Sequence, residues 1–196
     1  MPFGVSLAAV ASASAQSPAV TQPAAFSRSN YGAPFNADER ALIQRRILGD
    51  PKLAELRSDR LRVLFVTPSI SAKEQPQRQA NAILFDYTRG TAYRASVDLQ
   101  TGGVARLEQL PGRPQPSPEE IAEAARIIAK DPVHARLIAG QRGVLDGGFV
   151  VDGPPGAAAR DRFLQFQLLA PDRRRLIREI IVDLTAGKIA SSITRQ

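Results

Sequence analysis

No cysteine occurs in the 196 residues, so neither disulfides nor thiolate chemistry enter the fold, and the count is neutral about the redox state of the compartment. There is one histidine, His134. A single imidazole is too few for a histidine metal triad, and on sequence grounds it also excludes a histidine-based nucleophile system unless a partner chain completes it. Aromatic residues make up 6% of the chain and none interleaves with its densest basic run, which removes the stacking platform that single-stranded nucleic acid needs. No nucleic-acid partner is expected. Beyond the N-terminal region no run reaches the roughly 18 unbroken apolar residues of a membrane-spanning helix.

One further absence is local: residues 1–27 contain no Asp, Glu, Lys or Arg. Phe3 to Val10 is apolar and Ala13-Ser14-Ala15 is a small-x-small cleavage site before Gln16, so residues 1–15 read as a signal peptide. Only Met1 and Pro2 precede Phe3 where a cationic residue belongs, and the true start is expected upstream. Residues 16–35, rich in Ser, Ala, Pro and Gln without periodicity, read as a flexible leader. The expected location is periplasmic or secreted.

What is present is enough apolar material, 43%, for two small cores. The formal charge of +7 is spread evenly: residues 28–110 carry 13 basic and 9 acidic side chains, and residues 111–196 carry 13 and 10. That distribution describes a mixed-sign soluble surface rather than an anion-binding face.

The chain repeats itself. Asn36 caps a helix with Asp38 and Glu39 in its first turn and Ile43 and Ile47 on its inner side, Gly49 ends it, and Asp50-Pro51 opens a second short turn. Ser117, Pro118 and Glu120 form the same start with a capping box, followed by Ile121, Ala124, Ala125 and Ile128, then Asp131-Pro132. Shifting by 81 residues (120 − 39) superimposes 38–56 on 119–137 with 8 identical pairs: Glu39/Glu120, Ala41/Ala122, Arg45/Arg126, Ile47/Ile128, Asp50/Asp131, Pro51/Pro132, Ala54/Ala135 and Leu56/Leu137.

Strand signals follow each helix. Residues 61–67, 80–87, 92–99 and 104–110 serve the first copy, and 149–152, 162–169, 176–184 and 188–193 the second; Tyr93, Ala95, Val97 and Leu99 alternate with Arg94, Ser96, Asp98 and Gln100 at the strand period of two. The runs 97–102 and 182–187 share a Val-Asp-Leu strand end, in which Asp98 and Asp183 cap the turn and Gly102 and Gly187 supply positive φ. The expected fold is α+β: two tandem cystatin-like modules, 36–110 and 117–196, each a helix on a four-stranded antiparallel sheet. The linker 111–116, with three prolines, is expected to be extended and to set the spacing between them.

Candidate sites are few. Arg173, Arg174, Arg175 and Arg178, following Pro171-Asp172 at a hairpin tip, form the one dense basic cluster and the candidate anion or partner contact, with Arg160 and Arg162 expected to extend it. His134 corresponds to Leu53, so it reads as a half-buried packing residue. Gly102-Gly103, Gly147-Gly148 and the stretch 153–156 open no helix after a parallel strand and read as turns rather than a phosphate cradle. No catalytic, cofactor-binding or metal-binding residue is assigned.

Three stretches, Tyr93-Arg94-Ala95-Ser96-Val97-Asp98-Leu99-Gln100-Thr101-Gly102-Gly103-Val104, then Gln115-Pro116-Ser117-Pro118-Glu119-Glu120, then Asp131-Pro132, together resemble the second and third N-terminal domains that precede the catalytic domain of copper amine oxidases. The resemblance covers residues 36–196. It implies a pair of small α+β domains without the β-sandwich that carries copper and the topaquinone; the three copper histidines of that family have no counterpart here, and Asn30-Tyr31-Gly32 only superficially echoes the quinone site because glycine replaces its acidic residue. The expectation is a non-catalytic exported accessory protein with a protein partner in the cell envelope. The alternatives are a cystatin-like inhibitor acting through an exposed apolar loop, for which 147–156 is the candidate, and an accessory subunit of a split amine oxidase.

Overall fold

The computed structural model describes residues 34–56, 58–70, 78–139 and 143–194. The signal sequence, nearly all of the leader and the Asn30-Tyr31 pair therefore lie outside the described residues. Twelve elements follow in order: α1 (Ala37–Leu48), α2 (Pro51–Ala54), β1 (Leu61–Ile70), β2 (Arg78–Asp86), β3 (Thr91–Asp98), β4 (Val104–Leu110), α3 (Pro118–Lys130), α4 (Pro132–Ala139), β5 (Val144–Val151), β6 (Phe163–Leu169), β7 (Leu176–Asp183) and β8 (Lys188–Thr194). The strands make two four-stranded antiparallel sheets, β1-β2-β3-β4 and β5-β6-β7-β8, each a meander in chain order. The architecture is thus α+β, with two similar modules in tandem.

Local chemistry explains the helix starts. Asn36 accepts from the Glu39 backbone while the Glu39 carboxylate accepts from the Asn36 backbone, and Ser117 and Glu120 repeat the exchange, so two orphan donors are satisfied at each N-terminus. Asp50 caps α2 through Lys52 N at 2.9 Å and also accepts from Val104 N at 2.7 Å, tying the helical corner to the start of β4. At the equivalent turns Asp98 accepts from Gln100 N at 2.8 Å and Asp183 from Ala186 N at 2.9 Å, with Gly102 at φ 75° and Gly187 at φ 67°.

In the first module α1 buries Ile43 and Ile47 against a sheet face whose cross-strand pairs are Leu84–Tyr93, Ala82–Ala95 and Ala80–Val97. The two alanines of β2 leave room for the helix above them. Phe35 joins this core at 4% exposure, so packing reaches into the segment assigned to the leader. In the second module Ala124 and Ile128 of α3 meet Leu164, Phe166 and Leu168 of β6 and Ile180 and Val182 of β7.

Two expectations are corrected. The second core is not self-contained: Leu64, Phe85, Tyr87 and Ala92 of the first module belong to it. Phe85 pairs with Ala92 across β2 and β3, and Ala92 with Leu110 of β4, so one end of the first sheet's outer face is apolar and would be wet in an isolated module. The modules therefore meet directly, and the proline-rich segment does not hold them apart. Arg113 fastens it to the second module by donating to Val151 O at 3.0 Å and Ala159 O at 2.9 Å.

Gly147 and Gly148 are not a turn either. They lie inside β5, at a bulge where the register shifts between Gly147 and Phe149, matching a shift between Val63 and Phe65 in β1. A Cβ on Gly147 would lie 2.8 Å from Gln165 O, and one on Gly148 3.0 Å from the Ile121 side chain. The glycines that resembled loop punctuation permit close approach of α3 and β6.

Candidate functional site

Three elements bring a charged group into the boundary between the modules. Glu120 stands in the first turn of α3, Arg162 immediately before β6, and Tyr87 immediately after β2; all are buried, Arg162 completely. Arg162 donates from Nε to Glu120 Oε1 at 2.5 Å and from Nη2 to Glu120 Oε2 at 2.9 Å, a bidentate fork, and Nη2 also reaches Pro114 O at 3.2 Å and Gln115 O at 3.3 Å. The Tyr87 hydroxyl donates to Glu120 Oε1 across the boundary. The Arg162 guanidinium lies 4.6 Å from the Phe85 ring centroid, and its Nη1 has no hydrogen-bond partner. Burial and the hydrogen bond to Glu120 together push the Tyr87 phenol well above its ordinary range.

Around this centre the first module contributes two more cations. Arg60 Nη1 donates to Thr185 O at 2.7 Å, Arg62 pairs with Glu123 at 2.5 Å, and both guanidiniums lie over the Tyr87 ring, at 5.2 and 5.0 Å. The carboxylate of Glu123 holds the Arg62 pKa above its usual value. A cavity of about 440 Å³ opens beside this join, lined by Leu48, Leu61, Arg62, Glu119, Glu123 and Arg126, with charges of both signs. Glu120 was legible as a capping residue, but its second role was not. Arg162, read as an extension of the surface arginine cluster, is instead buried against Glu120 and Phe85 and takes no part in it.

His134 is 3% exposed, more deeply buried than expected, and Leu53 occupies the matching place at 4%. Its Nδ1 lies 2.7 Å from Asp131 Oδ1 and its Nε2 3.0 Å from the exposed Ser192 Oγ of β8. The carboxylate and the hydroxyl beside this single imidazole both come from this chain. Hydrogen bonds from the His134 backbone and ring hold the Asp131 carboxyl below its ordinary range. A cavity of about 460 Å³ lined by Lys130, Asp131, Pro132 and Lys188 adjoins the carboxylate side.

Arg173, Arg174 and Arg175 are exposed at the β6–β7 tip, where Arg174 N donates to Asp172 Oδ1 at 3.0 Å and Arg173 adopts φ 58°. Arg178 is separate from them in environment. It is half-buried in β7, with Nη1 3.4 Å from Ser192 Oγ and a buried Nε that has no partner. Asp98 and Asp183 stand in different modules and each caps its own turn.

The donor set does not fit a copper centre. Among the described residues no three His, Cys, Asp or Glu side chains gather as a metal cage, and both His134 nitrogens face protein partners. No helix among the described residues is long and apolar enough to cross a membrane. No protein-family model matches the chain, and no curated protein matches it in sequence. Among solved structures the chain is similar to a copper-containing benzylamine oxidase from Hansenula polymorpha, with a TM-score of 0.50, 11% identity, and coverage of 85% of this chain and 30% of that one. At that identity the likeness is one of fold: a tandem α+β arrangement that also occurs within a much longer copper amine oxidase.

Proposed function

We propose that the protein is a non-catalytic, exported accessory or binding protein, resembling the second and third N-terminal domains of copper amine oxidases without their catalytic domain, and that it docks on another protein of the cell envelope. One observation carries this reading. The outer face of the second sheet is left open with apolar groups on it: Phe149 of β5 is 65% exposed and Ile193 of β8 50%, on the same side as Gln165, Ile181 and Ser191, whereas the first sheet covers its apolar end with the second module. Large side chains held open on a sheet face mark association surfaces. The buried join between the modules supports the same reading, because it presents that face from a fixed frame.

A pulldown from periplasmic extract with the full chain, run beside a Phe149→Asp/Ile193→Asp variant, tests it. The expected result is a specific protein recovered by the first and lost by the second. Recovery of no specific protein, or equal recovery by both, counts against the proposal. A second reading, a cystatin-like inhibitor of an envelope peptidase, is favoured by the position of Phe149 within 147–156. In that case the purified chain inhibits a member of a panel of exported peptidases. The third, an accessory subunit of a split amine oxidase, requires amine-dependent peroxide release when the chain is mixed with a separately encoded copper subunit.

A further inference from the structure

The duplication offers an internal control for the His134 cluster. In the first module α2 places Leu53 over the sheet, β4 places Leu107 opposite Ala95, and β3 places Tyr93 opposite Leu84; all three belong to or pack on one apolar core. In the second module the matching positions, fixed by the pairs Ser192–Ile180 and Arg178–Leu168, hold His134, Ser192 and Arg178. Where the first module sets two leucines and a tyrosine against one interior, the second sets an imidazole, a hydroxyl and a guanidinium linked through the hydroxyl. Packing alone does not call for that exchange, since Leu53 fills the same corner with Asp50 still capping it.

Hydrogen-bond chemistry fixes the roles. Asp131 Oδ1, an acceptor at 2.7 Å, takes the proton on His134 Nδ1, so in the neutral imidazole Nε2 is a bare lone pair 3.0 Å from Ser192 Oγ. The hydroxyl therefore donates to the imidazole and accepts from Arg178 Nη1 at 3.4 Å. Base, orienting carboxylate, exposed hydroxyl and adjacent cation form the constellation that makes a serine nucleophilic.

We propose that Ser192 is an acylation site that takes one acyl group from an activated ester. Oγ attacks the ester carbonyl carbon as its proton passes to His134 Nε2, and the tetrahedral oxyanion forms beside the Arg178 guanidinium. The carbon–oxygen bond to the leaving group then breaks, the departing alkoxide takes the proton from Nε2, and Ser192 is left as an ester with one alcohol released. This goes beyond the docking role and needs no turnover: Ser192 lies open on an edge strand, and the cavity beside Asp131 does not include it among its lining residues.

The test incubates the full chain with p-nitrophenyl acetate and with a fluorophosphonate probe, following p-nitrophenolate release and mapping the adduct by mass spectrometry. The expected result is one equivalent released in a burst, one acetyl or phosphonyl mass on the tryptic peptide 189–195 at Ser192, no adduct in Ser192→Ala, and adduct formation about 100-fold slower in His134→Leu. Ser192 is exposed and leucine already occupies the His134 position of the first module, so both variants should fold, which circular dichroism melts verify. An adduct that is absent, maps elsewhere, or forms at Ser192 equally fast in folded His134→Leu overturns the proposal.

Discussion

Tyr87 and Glu120 belong to different modules and share one hydrogen bond in the interior between them. Glu120 thereby serves its own helix as a cap, Arg162 as a counter-ion and the neighbouring module as an acceptor. Three of the polar contacts at the join converge on that single carboxylate.

Removing it strands a charge. Glu120→Ala leaves the fully buried Arg162 without its bidentate partner and should cost about 3–5 kcal/mol. Arg62→Ala, which breaks a half-exposed pair with Glu123, should cost about 1 kcal/mol or less in its ion-pair part. Because much of the larger cost is an uncompensated ion, a Glu120→Leu/Arg162→Met double variant should be less damaged than Glu120→Ala. Urea melts of the variants check the order, and a double variant no more stable than Glu120→Ala contradicts it.

Alkaline pH should loosen the same place. The Tyr87 pKa is raised in the folded state, so the neutral phenol is favoured there; this contribution is complete below the unfolded tyrosine value of about 10 and is lost as pH rises toward the folded value. The melting temperature of the natural chain should fall through this window more steeply than that of Tyr87→Phe. Parallel curves for the two proteins contradict the assignment.

Acid should act elsewhere. Asp131 is depressed by its bonds with His134, so its contribution is present above the ordinary aspartate value of about 4 and is lost as pH falls through the folded value. Asp131→Asn should therefore lower stability at neutral pH and converge with the parent at the acid end. A difference that persists unchanged at low pH would show that the carboxylate charge is not what matters.

Gly90 offers a steric probe. At φ 68°, a Cβ there would fall 2.3 Å from Arg160 Cα, in the backbone of the other module, whereas Gly187, at φ 67°, has no neighbour within 4 Å. Gly187→Ala should cost only the left-handed backbone penalty of about 1–2 kcal/mol. Gly90→Ala must in addition push the modules apart, and its denaturant midpoint should drop further. Equal midpoints contradict direct contact at that point.

The elements were legible because each carries its own local rule. Caps at Asn36 and Ser117, proline at Pro118, and alternation through Tyr93–Leu99 act within a few residues, and so they placed the helices and most strands. β5 was truncated in the sequence because Gly147 and Gly148 resemble a turn; only the approach of Ile121 and Gln165 shows why glycine stands inside a strand. The shared core was invisible for a related reason. Phe85 and Ala92 lie on the face that period-two reading assigns to water, and no local signal says that a second module covers it. Of the candidate residues, the tip arginines stand exposed where the hairpin was expected, while the Arg162–Glu120 and His134–Ser192 contacts join positions 42 and 58 residues apart.

The boundary also bears on how the basic charge is deployed. Lys52, Arg60, Arg113 and, beside its carboxylate partner, Arg162 direct hydrogen bonds at main-chain oxygens of Val104, Ala105, Leu184, Thr185, Val151, Ala159, Pro114 and Gln115. A peptide oxygen is the same whatever side chain its residue bears, so these contacts depend on the identity of the cation and not on that of the receiving residue. Part of the formal positive charge is thus mortar, its donors engaged within the chain even where, as at Lys52 and Arg60, the side chain itself stands exposed.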